Sequence, residues 1–161
     1  MNGQTNRRVL CVDDEANVLD AFRRTLGRDF EISVADGGES ALAIVEREGP
    51  FAVILSDVRM PGMNGIQLLA RVKHVAPESV RMMLTGNSDQ QTAVEAVNAG
   101  SVFRFMTKPC PPEEMVANLN AGIEQYRLIT AEKQLLEQTL NQSLQVMLDI
   151  LAIVNPTAFS R

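Results

Sequence analysis

Five polar side chains interrupt the apolar runs of this chain, and each falls at the end of a run. Asp13 and Asp14 close Val9-Leu10-Cys11-Val12, and Asp57 closes Phe51-Ala52-Val53-Ile54-Leu55-Ser56. Thr85 closes Val80-Arg81-Met82-Met83-Leu84, and Lys108 follows Val102-Phe103-Arg104-Phe105-Met106 after Thr107. Three carboxylates, a hydroxyl and an ammonium brought to one place can handle a phosphoryl group. Carboxylates that close together repel, and burial raises the cost of their charge. They stay ionised only with a cation among them, and hard oxygen donors with open positions favour Mg²⁺, with Mn²⁺ as the near substitute. Asp57 is then a candidate nucleophile, since a carboxylate can form an aspartyl phosphate. The cation and Lys108 neutralise charge on the transferred group, while the Thr85 hydroxyl donates to one of its oxygens.

Each of these residues also has an ordinary reading. An Asp after a strand is commonly a helix N-cap, a lone Lys is solvated surface, and Thr85-Gly86 is a turn. Their joint placement at the ends of four runs favours the site.

The runs themselves must be strands that align their ends. They are short and continuously apolar, which suits a parallel sheet covered on both faces. Between them lie helical patterns. Val18, Leu19, Phe22 and Leu26 form one amphipathic stripe ended by Gly27, and Ala41, Leu42, Ile44 and Val45 form a second within Ser40–Glu48. Ile66, Leu68, Leu69 and Val72 form a third, and Ala93, Val94, Ala96 and Val97 a fourth, within Gln91–Asn98. A further strand, Phe30–Ala35, alternates. Five strands alternating with helices predict a doubly wound α/β sheet, (βα)5, with all parallel strand ends on one edge, where such sheets bind ligands.

Composition narrows the remaining classes. The 161 residues carry a net charge of -5, with no basic stripe, which disfavours nucleic-acid binding. No run is long and apolar enough to span a membrane, and Met1–Arg8 lacks the apolar core of a signal peptide. A cytoplasmic protein is expected. Cys11 and Cys110 are far apart and read as buried thiols; His74 reads as helix surface.

Over roughly residues 7–126 the chain resembles the receiver domain of bacterial two-component response regulators. The matching pieces are Val12-Asp13-Asp14-Glu15, Asp57-Val58-Arg59-Met60-Pro61-Gly62-Met63-Asn64-Gly65, Leu84-Thr85-Gly86 and Lys108-Pro109. The resemblance implies a flavodoxin-like receiver that takes a phosphoryl group on Asp57 from the phosphohistidine of a sensor histidine kinase. It implies that Asp14 and Asp57 ligate Mg²⁺ by side chain, Arg59 by its backbone carbonyl, and Asp13 mainly through water. It makes Lys108 the partner of the phosphoryl group, Thr85 the switch hydroxyl and Phe105 the switch aromatic, and it implies a cis Lys108–Pro109 bond. The receiver is a phosphoacceptor with self-catalysed phosphorylation and dephosphorylation, not an enzyme acting on others. Two flanks, Arg59 and Asn87, stand two residues after Asp57 and Thr85, where this family tunes dephosphorylation. Arg59 can pair with an acid, reach the phosphate or face solvent. Phe105 has no hydroxyl, so no tyrosine-type readout operates.

The receiver is expected to span 1–126, and 127–161 to form a helical, coiled-coil-like extension. Pro111 and Pro112 suit a first helical turn, and no Pro interrupts Met115–Val154. Leu140, Leu144, Met147, Leu151 and Val154 are spaced 4, 3, 4, 3, a heptad seam. The frame breaks at Glu137, and Leu128, Leu135 and Leu136 fit a shifted one, as a stutter gives. A helix of ~40 residues reaches ~60 Å, more than one receiver can cover. Homodimerisation through this helix is the preferred reading; packing on a downstream domain is the other. Asn155-Pro156 ends the helix and Phe159–Arg161 follows without a fold, so a downstream output domain is expected beyond it. Gly100–Phe105 before Lys108-Pro109, with the long helix after, resembles regulators carrying an HD-type phosphohydrolase. These residues hold no HD dyad themselves.

Two other functions compete. An aspartate-based phosphatase needs an acid two residues after its nucleophile, and Arg59 stands there. A phosphate-independent dimerisation scaffold leaves the acidic cluster without a purpose.

Overall fold

A computed structural model describes residues 5–155. The Met1–Gln4 part of the leader question and the Pro156 and Phe159–Arg161 expectations lie outside those residues. The elements run β1 (Arg8–Val12), α1 (Ala16–Leu26), β2 (Glu31–Ala35), α2 (Gly38–Glu48), β3 (Val53–Asp57), α3 (Gly65–Val75), β4 (Val80–Thr85), a 3-10 turn (Asn87–Asp89), α4 (Gln90–Asn98), β5 (Arg104–Thr107) and α5 (Pro112–Val154). All five strands are parallel, in the order β2-β1-β3-β4-β5. This is the doubly wound, flavodoxin-like sheet. The order reverses between β1 and β3, which opens a crevice beyond their carboxyl ends.

Apolar continuity in the strands reflects burial on both faces. Leu10, Val12, Ile54 and Met83 pack with Leu68, Leu69, Val72 and Ala93 from α3 and α4. On the other face Gly122 of α5 lies so close that a Cβ there would stand 2.9 Å from Val53 Cγ2 and 3.2 Å from Met82 Sδ. Met115, Leu119 and Ile123 are buried on the same helix. Each fully buried Leu or Ile contributes about 1.5–3 kcal/mol.

Boundaries differ from the sequence reading in instructive ways. Strand β5 begins at Arg104, two residues after the apolar run begins. Val102 is buried in the core without joining the ladder. Helix α4 starts at Gln90 because the 3-10 turn takes the residues before it. Cys11 is buried as expected, whereas Cys110 is only half-buried, since it sits in the connection between β5 and α5. His74 is exposed.

The chain divides into two compact units, residues 1–127 and 128–161. In the second, helical residues continue to Val154, and Leu128, Leu135, Leu136, Leu140, Leu144, Met147, Leu151 and Val154 are all about half exposed or more, from 49% to 74%. Among the described residues no helix is long and apolar enough to cross a membrane.

Candidate functional site

The acids come from the two strands that border the crevice. Val12 pairs with Ser56 in the sheet, so Asp13 and Asp57 leave adjacent strand ends side by side. Asp13, Asp14 and Asp57 each offer a carboxylate oxygen, all within 4.8 Å of one another. Asp13 is buried, Asp57 half-buried and Asp14 exposed.

None of the three caps a helix by its side chain at the position the ordinary reading assigned. The residue before α1 is Glu15, without a side-chain cap, and α3 is capped by Asn64. Asn64 Oδ1 accepts from the Gln67 N–H while Gln67 Oε1 accepts from the Asn64 N–H, a reciprocal capping box. The carboxylates are therefore free for other partners. Asp13 Oδ1 accepts from the Glu15 N–H at 2.9 Å, but its buried Oδ2 has no hydrogen-bond partner among the described residues.

Lys108 supplies the positive charge. Its Nζ lies 2.8 Å from Asp57 Oδ1 and 4.0 Å from Asp13 Oδ2. Its backbone N–H donates to the Thr85 carbonyl at 2.8 Å, which fixes the end of β5 against β4. The Lys108–Pro109 bond is cis, and so is Gly49–Pro50, which the sequence reading did not foresee. Burial drives the Lys108 ammonium down. The hydrogen bond to Asp57 and the charges of Asp57, Asp13 and Glu15 outweigh it, so its pKa is raised. Burial pushes the Asp13 carboxyl up; the Glu15 N–H and Lys108 oppose this, while Asp57 and Asp14 add to it.

Thr85 is fully buried at the end of β4, its Oγ1 donating to the Gly86 carbonyl. Phe105 stands back from the acids. Met83 pairs with Phe105 and Thr85 with Thr107, so Thr85 and Phe105 are diagonal neighbours on one face of the sheet. Phe105 is half-buried and packs against the core shared with α4.

Arg59 pairs with an acid while most of its side chain stays in solvent. Arg59 Nε donates to Asp89 Oδ2 at 2.7 Å and Nη2 to Asp89 Oδ1 at 3.0 Å. Asp89 was missed, since nothing near it in sequence marks it as a partner for a residue 30 positions away. Asn87 Oδ1 accepts from Gln90 Nε2 at 3.5 Å. Asp14, Arg59, Asn64, Asp89 and Thr92 line one cleft beside the acids, with Met60 and Ile66 as its apolar wall. A cluster of hard oxygens with an unpartnered buried oxygen, one flanking ammonium and an open cleft suits a divalent cation and an anionic group together.

Comparison with known proteins follows the same line. Residues 9–120 match the response regulator receiver domain family. The hydrogenase transcriptional regulatory protein HoxA of Cupriavidus necator is 34% identical over 116 residues, 72% of this chain and 24% of that protein. The chain thus spans about a quarter of the length of that regulator (24%). Among solved structures, adenylate cyclase from Rhodopirellula baltica superposes with a TM-score of 0.81 at 46% identity, over 82% of this chain and 98% of that one. The signal receiver domain of an HD domain-containing protein from Pseudomonas fluorescens Pf-5 gives 0.70 at 25% identity, over 76% and 98%.

Proposed function

Because this chain belongs to the response regulator receiver family, we propose that it accepts a phosphoryl group on Asp57 from the phosphohistidine of a sensor histidine kinase. The observation that carries this reading is the Lys108–Asp57 pair at 2.8 Å beside the Asp13–Asp14–Asp57 cluster. An Asp57 oxygen attacks phosphorus as the kinase histidine leaves. Lys108 stays within reach of the new phosphoryl oxygens, and the Thr85 hydroxyl turns from the Gly86 carbonyl to donate to one of them. Asp13, Asp14, Asp57 and the Arg59 carbonyl would hold Mg²⁺ or Mn²⁺, and Asp13 Oδ2 is a buried oxygen without a hydrogen-bond partner among the described residues. When bound, such a cation neutralises charge on the phosphoryl oxygens.

Movement of Thr85 makes room on the face that Phe105 shares with it. Phe105 then turns inward, and the surface of α4, β5 and the first turns of α5 changes with it. Residues 1–126 act as the receiver and 127–161, helical as far as Val154, as the connector to an output domain. The chain performs no chemistry on other molecules, self-catalysed dephosphorylation aside, and works in the cytoplasm. Relatives are named for transcriptional regulation, adenylate cyclase and an HD domain. Among these outputs, the sequence likeness to regulators with an HD-type phosphohydrolase supports the last. The exposed seam of residues 140–154 supports a homodimer.

The deciding experiment is incubation with Mg²⁺ and acetyl phosphate, read by intact mass beside Asp57→Asn. A gain of one phosphoryl group (~80 Da) in the wild type alone supports the acceptor reading. No gain in either protein makes the phosphate-independent dimerisation scaffold the function.

A further inference from the structure

We propose that Asp89 is a positioning residue that sets the lifetime of the aspartyl phosphate, by holding the Arg59 guanidinium against the start of α4 and away from Asp57. This rests on the reading of Asp57 as the acceptor.

Arg59 lies two residues beyond Asp57, on the loop that leads to α3. It can serve either of two anions. In the structure it serves Asp89 by a two-point contact at 2.7 and 3.0 Å, with Ser88 Oγ 3.5 Å from Nη2. The Arg59 side chain is 72% exposed and that of Asp89 15%. The Arg59 half of the pair is open to solvent while the Asp89 carboxylate is largely covered, so it is the guanidinium that can leave and the carboxylate that stays in place. Asp14, Arg59 and Asp89 line the same cleft, which is therefore the space through which a freed guanidinium moves toward the acids.

The aspartyl phosphate carries about -1.5 to -2 of charge where the free Asp57 carboxylate carries -1, and a guanidinium matches its oxygens by paired hydrogen bonds. Phosphorylation thus sets the phosphoryl oxygens against the Asp89 carboxylate for one Arg. Hydrolysis needs a water opposite the Asp57 oxygen. A bond forms from water oxygen to phosphorus as the bond from phosphorus to the Asp57 oxygen breaks. The electron pair stays with the carboxylate. One water proton stays on the inorganic phosphate and the other goes to solvent. A guanidinium lying over the phosphoryl group obstructs that water. Asp89, by retaining Arg59, keeps the path open and the lifetime short.

The test follows decay of the phosphorylated full chain by intact mass, in Mg²⁺, after acetyl phosphate is removed. Wild type is compared with Asp89→Ala, Asp89→Glu, Arg59→Ala and the double variant Arg59→Ala/Asp89→Ala. Asp89→Ala should lengthen the half-life about threefold or more, the scale of an exposed charge pair. Asp89→Glu should restore it, and the double variant should decay like Arg59→Ala. A half-life in Asp89→Ala at or below wild type overturns the proposal. So does equal lengthening by Asp89→Ala with and without Arg59, because the effect then does not pass through the guanidinium. A wild type that takes no label overturns the acceptor reading itself, and this inference with it.

Discussion

A Cβ built on Gly65 would stand 2.0 Å from the backbone carbonyl oxygen of Asp57. The first residue of α3 and the last residue of β3 thus touch backbone to backbone, and the Gly65 N–H donates to the Val58 carbonyl at 2.8 Å. Here it is space that demands glycine, whereas Gly62 in the same loop needs its positive φ of 73°. Gly65→Ala must push α3 away from the site. We expect a loss of about 1–3 kcal/mol in chemical denaturation, together with slower labelling of Asp57 by acetyl phosphate. Wild-type values for both would show that the loop yields without moving the carboxylate.

Lys108 is the cation that the structure places on Asp57, and it competes with any metal for the same oxygen. Lys108→Ala should therefore pull two observables in opposite directions. Mg²⁺ affinity, read by calorimetry because the chain has no Trp, should rise as the competing ammonium is removed. The rate of labelling should fall by about 10²-fold, the usual cost of losing one transition-state charge partner. A parallel fall in both would instead mean that Lys108 mainly shapes the loop.

The same residues show what could be read before the fold was known. Continuous apolar runs ending in Asp, Thr or Lys gave away the strands and their common edge, because burial on both faces is a local property of each run. Asn64 and Gln67 also carried a legible signal, a cap residue followed three positions later by Gln, but it lay hidden beside more conspicuous acids. Asp89 left no such trace. Its partner Arg59 is 30 residues away, and only the packing of the 3-10 turn beside the β3–α3 loop brings them together. The start of β5 was misjudged for a related reason: Val102 is apolar because it enters the core, and core residues need not belong to the ladder.

The two cysteines should separate cleanly. Burial pushes the Cys11 thiol up to about 12, from an ordinary value of 9.0. Thiolate is the reactive form; burial and the Glu114 charge raise the Cys110 thiol as well, but it is partly exposed, so in the folded protein a thiol reagent should titrate Cys110 slowly, with Cys11 reacting only on unfolding. The sign for stability follows. A thiol whose folded pKa is raised keeps its proton in the folded state while the unfolded chain loses it. Stability should then be unaffected by this group below about pH 9 and fall as pH rises toward about 12, by at most about 1.4 kcal/mol per pH unit. Cys11→Ala should remove that slope, measured by denaturant midpoint against pH. A slope that persists unchanged would assign it to other groups.

The seam at Leu140, Leu144, Met147, Leu151 and Val154 should bind a second copy of itself. From residue 138 to residue 154 only Asp149 carries a charge, which is a poor composition for a solvated helix. In proteins most helical stability comes from packing an apolar face rather than from propensity, so burial against a partner is expected to stabilise this stretch. Each a or d side chain covered in a dimer contributes about 1.5–3 kcal/mol at full burial, and five per chain are available at heptad spacing. Leu144→Glu/Leu151→Glu puts charge into the seam at two a positions. Gln142→Glu puts it on the opposite side as a control. In sedimentation velocity we expect a dimer for the wild type and for Gln142→Glu, and a monomer for the double variant, with helical signal falling as the partner is lost. A monomeric wild type at tens of micromolar, roughly the range in which such burial should suffice, would assign the seam to a partner other than a second copy.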